Sequence, residues 1–212
     1  KVLHLRCVEY ARRSGTPLRV RSSFTDSPGT LVTTAEELEG AAVEAPIISG
    51  VAHDLGEAKI TIAGVRDEPG RAALVFEILA TADINIDMIV QNVSAAGITD
   101  ITFTLPMSDG DKAMAVLRGN KNEIGYETVT YDDQVAKVSL VGAAVRSHPG
   151  VSATTFRALA DAGINVEMIS TSEIRISVVV RAEDVTRAVQ AIHTAFGLDA
   201  DGEAVVYAGT GR

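Results

Sequence analysis

The chain has 212 residues, is 46% hydrophobic and carries a formal net charge of −9, which argues against a nucleic-acid surface because phosphate binding draws on surplus Lys and Arg. No apolar run approaches the ~18 residues of a membrane-spanning helix, and the single cysteine, Cys7, has no partner for an internal disulfide. One or two small soluble domains in a reducing cytoplasm are expected.

Residues 1–34 stand apart from the rest of the chain. Leu3, Cys7, Tyr10 and Ala11 make a helical stripe that would bury the Cys7 thiol, and Gly15 stops the helix. Pro17–Ser23 reads as a strand and Asp26–Gly29 as a turn; Thr33 suits the cap of a short Ala35–Leu38 turn. The segment is too short to own a core and reads as the end of another domain. Pro46–Asp54 is a further strand candidate.

From Lys59 onward a pattern occurs twice, and its stretch Pro69–Asn92 recurs as Pro149–Ser172, offset by 80 residues. Pro69–Ile89 and Pro149–Ile169 are identical at 11 of 21 positions, against about one or two for unrelated segments. Each copy opens with a strand, Lys59–Val65 or Lys137–Ala143, and a Pro-Gly turn suited to a first helical turn. A helix follows. In the first copy Ala72, Val75, Phe76, Leu79 and Ala80 fall at i, i+3, i+4, i+7 and i+8; the second repeats this with Thr155, Phe156, Leu159 and Ala160. Then Ile84–Val90 and Ile164–Ile169 alternate apolar residues with Asn and Asp or Glu, as a half-buried strand does. Strands at Ile101–Leu105, Glu127–Tyr131, Ile174–Val180 and Ala204–Tyr207, with helices at Asp109–Arg118 and Ala182–Ala195, complete two β-α-β-β-α-β units. The class is α+β: two ferredoxin-like units, each an antiparallel sheet with its helices on one face.

The Asp67–Gly70 and His148–Gly150 turns lead into helix N-termini, where free N–H groups and the positive end of the dipole hold a carboxylate. The strands Asn85–Gln91 and Asn165–Thr171 offer acceptors for an ammonium group, so the pair suits a free α-amino acid. On the residues alone the plainer reading, tight turns and strand ends, outweighs it, because a pocket needs more than turns. His4, His53 and His193 have no metal-ligand spacing; Ser94, Ser170 and Ser172 lack a nucleophile-elbow context; Gly209-Thr210-Gly211 precedes no helix and so forms no phosphate loop. The acidic runs at Asp132-Asp133 and Asp199–Glu203 read as solvated turns. An RNA-binding reading of the same topology lacks strand aromatics and positive charge.

The segments KVLHLRCVEYARRSGTPLRVRSSF, ISGVAHD, EAKITIAGV, INIDMIVQNVS, TDITFT, YDDQVAKVSLVG, SHPGVSATTF and STSEIRISVVV together resemble the aspartate kinase family over essentially the whole chain. The resemblance implies a tail of the amino-acid kinase catalytic domain at 1–45, a first ACT domain at 57–132, and a second made of 46–56 plus 133–212. It implies allosteric feedback inhibition of aspartate phosphorylation in lysine, threonine and methionine biosynthesis, with lysine and/or threonine bound between ACT domains. By position, the effector binders would be Asp67, Gly70, Ala72, Asn85, Ile86, Asp87, Gln91, Asn92 and Ser94 in the first unit. In the second they would be His148, Val151, Ser152, Asn165, Val166, Thr171, Ser172 and Glu173. The family's Lys-Gly-Gly nucleotide stretch is absent, so the chain is not expected to catalyse alone. ATP would belong only to the full enzyme's catalytic domain, and no cofactor or metal is expected here. The expected partners are a catalytic subunit and a second copy, as a homodimer within a larger hetero-oligomer, with neither nucleic acid nor membrane. The alternative is an amino-acid-sensing ACT regulator of another protein, against which the LHLRCVEYARR…VRSSF segment argues.

Overall fold

The computed structural model describes residues 3–33, 48–93, 97–142, 145 and 150–199. The expected Ala35–Leu38 turn and Ala204–Tyr207 strand lie outside them.

Helix α1 (Leu5–Arg13) is capped by the His4 imidazole, which accepts from the Arg6 N–H at 3.3 Å, and it ends on Arg12 and Arg13. Strands β1 (Leu18–Val20) and β2 (Thr30–Val32) form a separate two-stranded sheet. The expectation that α1 buries Cys7 is corrected: the thiol is exposed, as is Tyr10. A stripe needs a surface to pack on, and none of the buried clusters among the described residues includes a residue of 3–33.

The first unit runs β4 (Glu57–Arg66), α2 (Arg71–Thr81), β5 (Ile89–Val93), β6 (Ile98–Pro106), α3 (Gly110–Gly119), α4 (Lys121–Ile124) and β7 (Thr128–Asp132), with strand order β5-β6-β4-β7. The second runs β8 (Val135–Val141), α5 (Val151–Asp161), β9 (Met168–Thr171), β10 (Arg175–Arg181) and α6 (Val185–Ala195), in the order β3-β8-β10-β9. Strand β3 (Gly50–Asp54) precedes the first unit in sequence, yet pairs antiparallel with β8 through Ala52↔Ser139 and His53↔Val138. It takes the place beside β8 that β7 takes beside β4. Each sheet turns one face to its own helices. Ile60, Ile62, Ile101, Phe103 and Leu105 meet Val75 and Leu79 of α2 in one core, with Phe76 edge-on to Phe103 at 6.0 Å. Val138, Leu140, Ile176, Val178 and Val180 meet Leu159 and Ile192 in the other.

The duplicated strands begin later than alternation predicts, at Ile89 and Met168. The cause is how each helix exits. The Ile84 N–H bonds back to the Leu79 carbonyl, and the Ile164 N–H to Leu159, so Ile84 and Ile164 drop into the cores as helix ends rather than strand residues. The turn between needs a left-handed residue. The second copy supplies Gly163 at φ 68°, whereas the first forces Asp83 to φ 53°. A Cβ on Gly163 would meet nothing nearer than Arg187 at 3.9 Å, so the cost of adding one is conformational. In urea titrations Gly163→Ala is expected to lower stability by about 1 kcal/mol and Asp83→Gly to raise it by about 0.5 kcal/mol.

Candidate functional site

Both Pro-Gly turns do what the sequence suggests locally. Gly70 (φ 93°) and Gly150 (φ 108°) are left-handed N-caps of α2 and α5, and neither helix has a side-chain cap. The first-turn N–H groups are therefore not taken by a capping side chain. Asp67 is exposed, and its N–H donates to the Gly97 carbonyl at 2.9 Å. Beside it lies an open hollow of about 480 Å³, lined in part by Gly64, Arg66, Asp67, Glu68, Gly97 and Glu127. One cation among carboxylates is a lining that can pair both ends of a zwitterion.

The expected binders fall at two ends of each sheet. In the first unit Asp67, Gly70, Ala72, Gln91 and Asn92 share the end where β4 and β5 finish. Gln91 and Asn92 are exposed on β5, opposite Ile101 and Asp100, and the Asn92 carbonyl accepts from Thr99 Oγ1 at 2.6 Å. Asn85, Ile86 and Asp87 lie before β5, at the opposite end; Asn85 is exposed and Ile86 packs on the core. The second unit repeats the split. Val151, Ser152, Thr171, Ser172 and Glu173 lie at one end, with Ser152, Thr171, Ser172 and Glu173 exposed and Val151 buried in the core. Asn165, exposed, and Val166, packed on the core, lie at the other. Ser94 and His148 lie outside the described residues.

Sequence reasoning missed the contact between the units. The faces turned away from the helices meet through Met88, Val135, Met168 and Val179, with Val90 beside them. Charges frame this apolar centre. Lys137 of β8 donates to Asp87 at 2.6 Å and to Glu57, while Lys59 of β4 donates to Glu167 and lies 3.9 Å from Asp132. Arg181 adds bonds of 2.7 Å to Asp132 and 3.3 Å to Glu167. Burial pulls the Lys137 ammonium down, but its bonds to Asp87 and Glu57 outweigh that and hold it above the ordinary lysine value. Burial pushes Asp132 up, but the Gln134 N–H and Arg181 leave it below the ordinary carboxylate value. The visible signal was the polar residue inside each strand, Lys59 and Lys137, at matching positions of the repeat.

An ACT-domain family model matches residues 60–120 and 138–196. The regulatory subunit of aspartate kinase from Thermus thermophilus, solved ligand-free, is 42% identical, covers 71% of this chain and 99% of its own, and superposes with a TM-score of 0.68. The chain belongs to the aspartokinase family, as its tandem ACT-domain regulatory region. The crystal structure of aspartokinase alpha and beta subunits likewise aligns at 42% identity and a TM-score of 0.67, over 71% of this chain and 99% of that one. An aspartokinase of Mycolicibacterium smegmatis is 56% identical over 214 residues, covering all of this chain and 50% of the relative. The chain thus spans about half the length of the curated aspartokinases it matches. Among the described residues no group of His, Cys, Asp or Glu could hold a metal ion, and no helix is long and apolar enough to cross a membrane.

The ion pairs of this aspartokinase region set a pH window. Asp132 has a folded value below its unfolded one, so its stabilisation is present above the ordinary carboxylate range and lost as pH falls through the folded value. Lys137 has the opposite sign: its contribution is present below the ordinary lysine range and lost as pH rises through the raised value. Asp132→Asn is expected to cost about 1 kcal/mol at neutral pH, with the gap to the parent closing as pH falls below the ordinary carboxylate range in pH-dependent urea titrations.

Proposed function

We propose that the chain senses end-product amino acids, lysine and/or threonine, and conveys feedback inhibition to an aspartate kinase catalytic subunit, with each effector bound between ACT units of two copies of the chain. The observation that carries this reading is the split of the binding residues between opposite ends of each sheet. Strands β5 and β9 are both edges. Each presents an apolar residue at the matching position, Ile89 at 51% and Ile169 at 46% exposure, and unpaired edges accept further strands. A twofold copy would lay β5 antiparallel to the partner's β9. The end carrying Asp67, Gly70 and Gln91 would then face the partner subunit's Asn165, and the end carrying Asn85 would face the partner subunit's Thr171. Helix N–H groups from one chain and strand acceptors from the other would close on one amino acid.

The repeat shares the residues that would read the backbone of the ligand and differs where a side chain would be read. Gln91-Asn92 aligns with Thr171-Ser172, and Ala72 with Ser152. A buried donor or acceptor left unpaired costs about 1–3 kcal/mol, enough to separate a hydroxyl ligand from an ammonium one. Asp87 is engaged by Lys137, so in this reading it supports the site rather than touching the ligand. The kinase partner is supported by the relative solved as alpha and beta subunits together. No cofactor takes part.

Calorimetric titration of lysine with and without saturating threonine tests the reading. Binding of both, with each raising the other's affinity by the same factor of roughly 5–150, is expected. Gln91→Ala is expected to weaken binding at its site by about tenfold. Absence of binding of either amino acid would overturn the reading, and equal affinities with and without the second would remove the coupling.

A further inference from the structure

The contact between the units has a symmetry that neither unit's own fold requires. Lys59 sits opposite Thr104 in the β4–β6 ladder, and Lys137 opposite Val179 in the β8–β10 ladder. The Asp87 N–H donates to the Thr104 carbonyl, and the Glu167 N–H to the Val179 carbonyl. The two lysines and their two carboxylates are therefore equivalent positions of the repeat. The bonds, however, run across it, Lys137 to Asp87 and Lys59 to Glu167. Each lysine leaves the interior strand of one unit and ends on the segment that leads into the edge strand of the other. Met88 and Met168, the residues immediately after the two carboxylates, fill the apolar centre beneath. The side chains of Lys59, Lys137 and Glu167 are less than a fifth exposed.

We infer that Lys59 and Lys137 are positioning residues of a reciprocal cross, through which the edge strand of each ACT unit is tied to the interior strand of the other. A displacement of β5 carries Asp87 with it, and through Lys137 draws on β8. A displacement of β9 carries Glu167 and draws on β4. The cross is uneven. Glu57 joins Lys137 where the second unit has Val135, and Arg181 joins Glu167 where the first has Pro106, as the strand registers show. The coupling role of the cross rests on the reading of β5 and β9 as effector-contacting strands; the link itself does not.

Hydrogen–deuterium exchange on the intact chain tests the link without ligand. Lys137→Met is expected to raise exchange in residues 84–93, in the other unit, by about tenfold, while residues 164–171 stay within about twofold of the parent. Lys59→Met is expected to do the reverse. Lys137→Arg, which keeps the charge, is expected to leave both segments near the parent. A lysine acting only as general support would raise exchange in both segments alike, and that result, or no change in either, overturns the inference. Should Lys137→Met not fold, Lys137→Gln gives the same readout with a milder change. Lysine and threonine titrations then test the coupling: in Lys59→Met/Lys137→Met the coupling factor is expected to fall to near one, whatever the change in each single-ligand affinity. Full coupling in the double variant overturns the role assigned to the cross. Failure of either amino acid to bind the parent overturns the effector reading instead, and the exchange result stands apart from it.

Discussion

Two lysines, each crossing from one sheet to a carboxylate on the other, fix how the two halves of this region sit. Methionine and valine at the centre of the contact pack with little directional preference, and an apolar face alone would tolerate sliding. Charge pairs do not. Lys137 between Asp87 and Glu57, and Lys59 near Glu167 and Asp132, set both the offset and the rotation of the sheets. An ammonium group in so sheltered a position loses hydration that only close carboxylates can replace. The loss of one member therefore leaves an unpaired charge in a half-buried place.

Function follows from where this contact leaves the edges. The sheets meet by the faces away from their helices, so β5 and β9 remain at the outer margins with the helix N-termini above one end and the Asn85 and Asn165 segments at the other. In the proposed reading neither unit gathers a complete amino-acid site by itself. Small side chains and backbone donors are spread over two ends, and a second copy applied edge to edge would bring unlike ends together. That division of labour would account for why the exposed apolar residues, Ile89 and Ile169, lie on these two strands at matching positions of the repeat.

Much of this was legible before any coordinates. The duplicated Pro-Gly, Phe, Leu and Ile-Asn residues fixed two copies of one unit, and periodicity placed α2 and α5 to within a few residues. What escaped was the part that depends on distant partners. Alternation in INIDMIV resembles a strand along its whole length, but Ile84 is claimed by the helix exit and only the last part pairs. Cys7 lies on an apolar stripe, yet a stripe does not say what covers it, and here nothing among the described residues does. The place of β3 beside β8 leaves no local trace, because its partner is more than 80 residues away; only the family resemblance, which joins 46–56 to 133–212, implied it. The lysine cross is hidden for the same reason: Lys59 and Lys137 stand at matching positions of the repeat, but only the stacking of the units gives their face a partner. In the candidate site, residue types suggested carboxylate and ammonium recognition, while the separation of the binders between two ends came only with the sheet order.

A site assembled from two chains is tested most directly by mixing two defective ones. Gln91→Ala removes a contact on the first unit's end and Asn165→Ala removes its counterpart on the other side of the same proposed site. Each variant alone is predicted to bind its amino acid at least about tenfold more weakly than the parent. Unfolded together and refolded, half of the dimers would pair unlike chains, and each of those carries one intact site, so calorimetry of the mixture is predicted to recover about a quarter of the parent's binding capacity at parental affinity. Recovery of none, with both variants folded and mixed, would contradict a shared site and place it within a single chain.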